Sequence, residues 1–420
     1  MPISEKLTGA PLSISLHRGS EPCFTETVSN TPTKAPSAAA LREQLAKGRE
    51  MVLANILMLG EIPAPSGQED ARVRFLADRF RQSSLQEISI DEMGNVQAII
   101  PGKTGSQNIL VTARADTHLS IGPDQRITIN VGPDCLLGPG LADNTLGLAT
   151  LASLPDLLGR FGIHLDANLI LLGHVKSLGS NDQAGLRFFL KNFPRPLNAG
   201  LVVEGISLGR LDHFCNGMVQ AEITCRVHQD PAKRWEASEN AIIIMHHVIR
   251  RILEIPIPQE PRTSVIIGSV RAGKTFNRPP ELARLRLEIR SEEPGRAREI
   301  RHEISRLLDE ISAETASECS IKFPALRKPG GIPFSHPFVS AAREILEDLG
   351  VQPVVGPSYS DLSTLASQKI PTLTVGLSRV TNLNEPSEQI EIEPIFSGLA
   401  QVVSLLEKMD GEIERENGSQ

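Results

Sequence analysis

Residues 167–175, ANLILLGHV, form a nearly unbroken apolar run of strand length. A strand with one wet face would alternate apolar and polar residues. This one does not, so it must be covered on both faces, as strands are in α/β sheets. The flanking segments supply the cover. NTLGLATLASLPDLLG before it and DQAGLRFFLKNF after it carry apolar residues at helical spacing. LQEISI, VQAII, NILVTA and AGLVVEG read as further strands, with DEMGN as the turn between the first two. This alternation of strand and helix predicts a layered α/β domain.

Ahead of that pattern, residues 1–36 are rich in Ser, Thr, Pro and Gly and carry no period, which predicts a loosely ordered extension. From Ser37 to Ile62 the apolar spacing predicts one long helix. Ser66, with Glu69 three residues on, reads as the N-cap of the helix through EDARVRFLADRF. The middle of the chain differs. GMVQAEITCRVH, a helix to about Leu253, the strands TSVIIGSVRA and ARLRLEIR, a helix from Pro294 to about Ile311 and a strand near CSIKF give the order strand-helix-strand-strand-helix-strand. That order marks a ferredoxin-like α+β module, placed at 208–324 and inserted into the first domain. The α/β pattern then resumes, so 37–207 and 325–414 form one domain.

The 50 acidic residues exceed the 43 Lys and Arg, for a formal charge of -7, which argues against a nucleic-acid-binding protein. Apolar runs are strand-sized, well short of the roughly 20 residues of a membrane span. The five cysteines, Cys23, Cys135, Cys215, Cys225 and Cys319, form no CxxC pair and read as free thiols. With no basic-then-apolar leader, the expectation is a cytoplasmic protein.

In open α/β sheets, ligands bind beyond the carboxyl ends of the strands. The chain puts chemistry-bearing residues there: Arg114 and Asp116 in ILVTARAD, Asp143 in LLGPGLADN, His174, Lys176 and Ser177 in LILLGHVKS, and Glu204 in LVVEG. Taken in order, DEMGNV with PG, RAD, GPGLADN, VKSLGS, VVEG, LEIR, SYSDLSTLASQKIPTLTVG and NEPSE resemble the M20 metallopeptidases. The likeness is strongest to the peptidase T-like, tripeptide aminopeptidase branch, with the M42 aminopeptidases as relatives, and it spans 45–410. It implies a zinc-aminopeptidase-like (phosphorylase/hydrolase-like) three-layer domain whose inserted module serves as lid and dimerisation domain. A homodimer is the expected assembly.

The same resemblance shows what has changed. The family's His-x-Asp reads Arg114-Ala115-Asp116, so a ligand imidazole has become a permanent cation without a lone pair for zinc. Asp116 matches the residue that supports that imidazole. Asp143 matches the bridging ligand and Glu204 a further acidic ligand. The Glu-Glu pair of general base and ligand reads Lys176-Ser177, and the last ligand His reads Asn384. Two carboxylates do not make a zinc site, and no base remains for water activation. The expectation is a catalytically silent protein without a metal cofactor, in which Arg114 and Lys176 pair with Asp143 and Glu204. The alternative is an active zinc enzyme with a rearranged site drawn from Asp143, Glu204, His118 and His174. A metal-free hydrolase built on Ser177 lacks a GxSxG elbow. The resemblance also places Arg290, Asn277 and Ser360 around the interdomain cleft, where, with Arg114 and Lys176, they suit a small acidic ligand or a peptide carboxylate. The family's small-domain His is missing beside Asp230. His228 substitutes only with a shifted loop, and Trp235 reads as helix packing.

Overall fold

The computed structural model describes residues 36–118, 126–228 and 240–418, apart from 259, 294, 316 and 360. The N-terminal extension therefore lies outside the described residues, save Pro36. The central sheet has nine strands. Its order runs Gln86–Ile90, Val96–Ile100, Asn168–His174, Asn108–Arg114, Ala199–Ile206, Thr372–Ser378, Arg210–Cys215 and Gly330–Gly331, with Val354–Ser358 pairing Arg210–Cys215. Asn108–Arg114 runs parallel to both of its neighbours, and Thr372–Ser378 runs parallel to Ala199–Ile206. The apolar run that opened the argument is buried at every position of Asn168–His174. Its side chains divide by the strand period. Leu169 and Leu171 enter one core with the helices Asp70–Gln82, Leu146–Phe161 and Glu393–Gly418, while Ile170 and Leu172 enter a second with Leu186, Phe189 and Leu365. Three layers result.

The turn at DEMGN forms because Asp91 Oδ1 accepts the N–H groups of Met93, Gly94 and Asn95, each at 2.9 Å. The helix expected over 37–62 is instead two, Ala38–Ala46 and Arg49–Gly60. The break falls at Gly48, where a Cβ would stand 2.9 Å from Leu157 Cδ2. Ser66 does not cap the next helix. Glu69 holds the N-cap position, and its carboxylate accepts the N–H groups of Gly67 and Lys176, both at 2.8 Å. Ser66 Oγ accepts from the Asn181 side chain at 2.9 Å instead.

The inserted domain is an antiparallel sheet in the order Thr263–Ala272, Leu282–Ser291, Gly217–Arg226, Glu318–Arg327. The helices Ala241–Leu253 and Arg296–Thr315 cover one face with their own core. With the outer strands second and fourth in the chain, this is the ferredoxin-like arrangement. Its sheet begins at Gly217 and ends at Arg327, later than 208–324 at both ends, because Arg210–Cys215 hydrogen-bonds into the large sheet. A third sheet joins Val380–Thr381, Gln389–Glu391, Cys135–Leu137 and Asn130–Val131. These strands of two or three residues are too short to show a period and read as loop. Among the described residues no helix is long and apolar enough to cross a membrane.

Candidate functional site

The parallel strands Asn108–Arg114, Asn168–His174 and Ala199–Ile206 end on one side of the sheet, facing the inserted domain. The cleft there has a volume of about 690 Å³. Arg114, Asp143, Ser177, Glu204 and Arg210 form its floor, and Gln220, Glu288 and Arg290 of the inserted sheet face them.

Asp143 sits in the turn after Gly140 (φ 73°), with a non-helical backbone just ahead of the helix Leu146–Phe161, and the Asp143–Asn144 peptide bond is cis. Two tethers hold this turn. The Asn144 amide donates to Val203 O at 3.1 Å and accepts the Gly205 N–H at 2.9 Å, which ties it to the strand carrying Glu204. Glu388, fully buried, accepts the Ala142 N–H at 2.7 Å through one oxygen and the Asn384 N–H at 2.9 Å through the other. The guanidinium of Arg114 makes a buried ion pair with Asp143 and donates to Asp116 O at 3.2 Å. His118, half exposed, places Nε2 at 3.4 Å from Asp143 Oδ2. Burial, then the Arg114 charge, holds its pKa below the ordinary histidine value. Asp116 is fully buried. Its Oδ2 accepts the N–H groups of Ser177 and Leu178, at 2.8 and 3.0 Å, so it organises the turn after the strand. Among the described residues, Asp116 Oδ1 and Ser177 Oγ are buried without a hydrogen-bond partner.

Glu204 is not paired with Lys176. Its partner is Arg210, which bridges it to Asp212 through Nε and Nη2 at 2.7 and 2.6 Å. Burial pushes the Asp212 carboxyl above its usual range even against the Arg210 charge. Burial also lowers Arg210, but the two carboxylates outweigh it and raise the net value. Lys176 leaves the strand with φ 54°, and its Nζ donates to Met93 O at 3.2 Å. The expected four-membered network of Arg114, Lys176, Asp143 and Glu204 therefore does not form. The left-handed turn at Lys176 takes the ammonium elsewhere.

His174 is fully buried, with Nδ1 3.0 Å from Thr112 Oγ1 and Nε2 3.1 Å from Asp361 Oδ2. Burial raises the Asp361 pKa, but the His174 charge and hydrogen bond, helped by Arg114 and Arg327, bring it below the ordinary value. Arg290 lines the cleft, stacked 4.2 Å from the Tyr359 ring centroid and bonded to Glu288 at 2.5 Å. Asn277 and Asn384 are exposed and do not line the cleft, and His228 is exposed on the inserted domain. Ser360, Asp230 and Trp235 lie outside the described residues. Sequence reasoning missed Arg210, Asp212 and Asp361. For the first two a signal existed: Arg210 and Asp212 are two apart on a strand and so share a face, only six residues beyond Glu204.

In this arrangement the donors do not converge as zinc requires. Zinc needs three or four N, O or S ligands converging at about 2 Å. Asp143 and Glu204 are each held by a guanidinium, and His174 is turned to Thr112 and Asp361. Among the described residues no three His, Cys, Asp or Glu side chains converge on a cation position.

Residues 216–316 match the peptidase dimerisation domain of the M20 peptidases. No curated protein sequence matches the chain. Several solved structures share its fold. Aminopeptidase PepT from Bacillus cereus is 16% identical, with 86% of this chain and 98% of that one covered and a TM-score of 0.68. A tripeptidase from Staphylococcus aureus is 17% identical, covering 86% and 99%, with a TM-score of 0.70. The di-peptidase Dug1p from Saccharomyces cerevisiae is 11% identical, covering 89% and 99%, with a TM-score of 0.71. The class is thus a two-domain α/β peptidase fold with an inserted dimerisation domain. More narrowly, the chain has the fold of the M20 peptidases.

Proposed function

We propose that this chain is a non-hydrolytic M20-fold protein that binds a ligand in its interdomain cleft without a metal and pairs as a homodimer through the inserted domain. One observation carries the reading: the Arg114 guanidinium lies on Asp143. A carboxylate already neutralised by a buried arginine has no charge left to draw a divalent ion. Arg210 does the same for Glu204, and Lys176 and Ser177 offer no carboxylate to accept a proton from water. Arg290, with about a third of its side chain exposed, is the cleft cation most open to a guest. A small acidic ligand or a peptide carboxylate that displaces Glu288 from Arg290 is the occupant this reading favours. The free thiols at Cys135, Cys215, Cys225 and Cys319 suit a cytoplasmic setting. The dimerisation-domain match at 216–316 supports the homodimer.

Elemental analysis of the purified protein tests the central claim. Zinc far below stoichiometry is expected, with no cleavage of di- or tripeptides after addition of zinc, cobalt or manganese. Stoichiometric zinc together with cleavage overturns the proposal. It would favour a rearranged site in which His118, 3.4 Å from Asp143, has become a ligand.

A further inference from the structure

The inserted domain holds a dithiol remote in sequence from the cleft residues. Cys225 lies in the inner strand Gly217–Arg226, and Cys319 lies directly opposite it in the edge strand Glu318–Arg327. Their sulfurs are 3.2 Å apart. A disulfide bond is about 2.04 Å long and joins Cα atoms roughly 4.4–6.8 Å apart, a range that takes in the roughly 4.5–5.5 Å between directly opposed antiparallel residues, so closure asks for only about 1 Å of side-chain movement. Cys225 is fully buried in the inserted domain's core, whereas Cys319 is half-buried at the sheet edge. The hydrogen bond between the two sulfurs, with help from Ser317 and Ser312, outweighs burial and holds the Cys319 thiol well below its ordinary pKa. The hydrogen bond to Cys319 and burial hold Cys225 above its own. Cys319 is thus the sulfur nearer solvent, placed to react first, and Cys225 the enclosed one that can follow it. Cys135 and Cys215 show no such sulfur contact among the described residues.

We propose that Cys225 and Cys319 form a reversible oxidation site, with Cys319 the attacking residue and Cys225 the resolving one, and a low-molecular-weight disulfide such as oxidised glutathione the oxidant. The Cys319 thiolate attacks one sulfur of the oxidant, breaking its S–S bond and releasing one half as a thiolate. Cys225 then attacks the Cys319 sulfur of this mixed disulfide and expels the second half. The protein loses two electrons and two thiol protons. The oxidant gains both and leaves as two thiols. The product staples the edge strand, whose far end carries the cleft residue Arg327, to the centre of the sheet.

The test equilibrates the full-length reduced protein with a graded series of oxidised to reduced glutathione, alkylates the remaining thiols and maps the peptides by mass spectrometry. Loss of the Cys225 and Cys319 thiols together is expected, as one cross-linked peptide pair, at a lower proportion of oxidised glutathione than modifies Cys135. The Cys225→Ala variant should instead accumulate a stable glutathione adduct on Cys319. Two results overturn the proposal. One is that Cys225 and Cys319 stay alkylatable where Cys135 is already modified. The other is that the variant carries no more adduct on Cys319 than on Cys135.

Discussion

Replacing Arg210 with alanine tests whether an arginine now does the work of neutralising the Glu204 carboxylate. Arg210 bonds Glu204 and Asp212, which are only 6% and 3% exposed. Its removal leaves two buried like charges without a cation. Breaking a buried pair from one side costs about 3–5 kcal/mol, and sharing one arginine between two carboxylates puts Arg210→Ala near the upper end. The pH dependence carries a second signature. Burial already holds Asp212 above its usual range with Arg210 present, and without the guanidinium that carboxyl rises further. A folded-state carboxyl pKa above the unfolded one means that the folded state binds more protons in the window between them. The deficit should therefore be largest at pH 8 and shrink as the pH falls toward 5. Urea denaturation at both pH values reads this directly. The double variant Arg210→Ala, Asp212→Asn should recover part of the loss at pH 8, because one of the stranded charges is gone. A deficit below about 1 kcal/mol, the scale of an exposed pair, or one independent of pH, refutes the reasoning.

Lys176→Met should cost no more than the roughly 0.5–1.5 kcal/mol of one hydrogen bond and leave zinc content unchanged, since the ammonium reaches Met93 O and not the carboxylates. Denaturation and elemental analysis check both points. Asp361→Asn should cost about 2 kcal/mol at neutral pH through the loss of its charged contact, 3.1 Å long, with His174 Nε2. Because the folded pKa of Asp361 lies below the unfolded one, its stabilisation is present above pH 3.8 and lost as the pH falls through the lowered value, so the difference from wild type should vanish in acid denaturation. The quadruple variant Arg114→His, Lys176→Glu, Ser177→Glu, Asn384→His puts imidazoles and carboxylates where the resemblance expects metal ligands and a base, yet it should bind zinc weakly by calorimetry. Adding Arg210→Ala should tighten binding at least tenfold, and equal affinity with and without Arg210 would sink that expectation.

Much of the fold was legible because the burial pattern is periodic. The unbroken apolar run at 168–174 required cover on both sides, and the two cores supply it. Alternation across the inserted strands and the helical spacing between them carried the ferredoxin-like order. What escaped were features set by contact and not by period: the break at Gly48, which depends on Leu157 packing close, and the short strands at 130–137 and 380–391. The site divides the same way. Asp143 and Glu204 were found from their strand-end positions, whereas Lys176 was misplaced because extended geometry was assumed through a residue with φ 54°.

The missed role of Arg210 follows from topology. Arg210 belongs to the strand that turns back beside Thr372–Ser378, so it comes to Glu204 by returning through the sheet, not by extending the Glu204 strand. A reading that took position 208 as the start of the inserted domain removed this residue from the cleft floor in advance. Once Arg210–Cys215 is placed in the large sheet, its alternation aims Arg210 and Asp212 at the cleft and Leu211 into the core. Asp143 and Glu204 thus have two arginines from different strands, Arg114 at the end of Asn108–Arg114 and Arg210 from the sheet's return limb. Removing either guanidinium alone therefore strands one carboxylate and leaves the other paired.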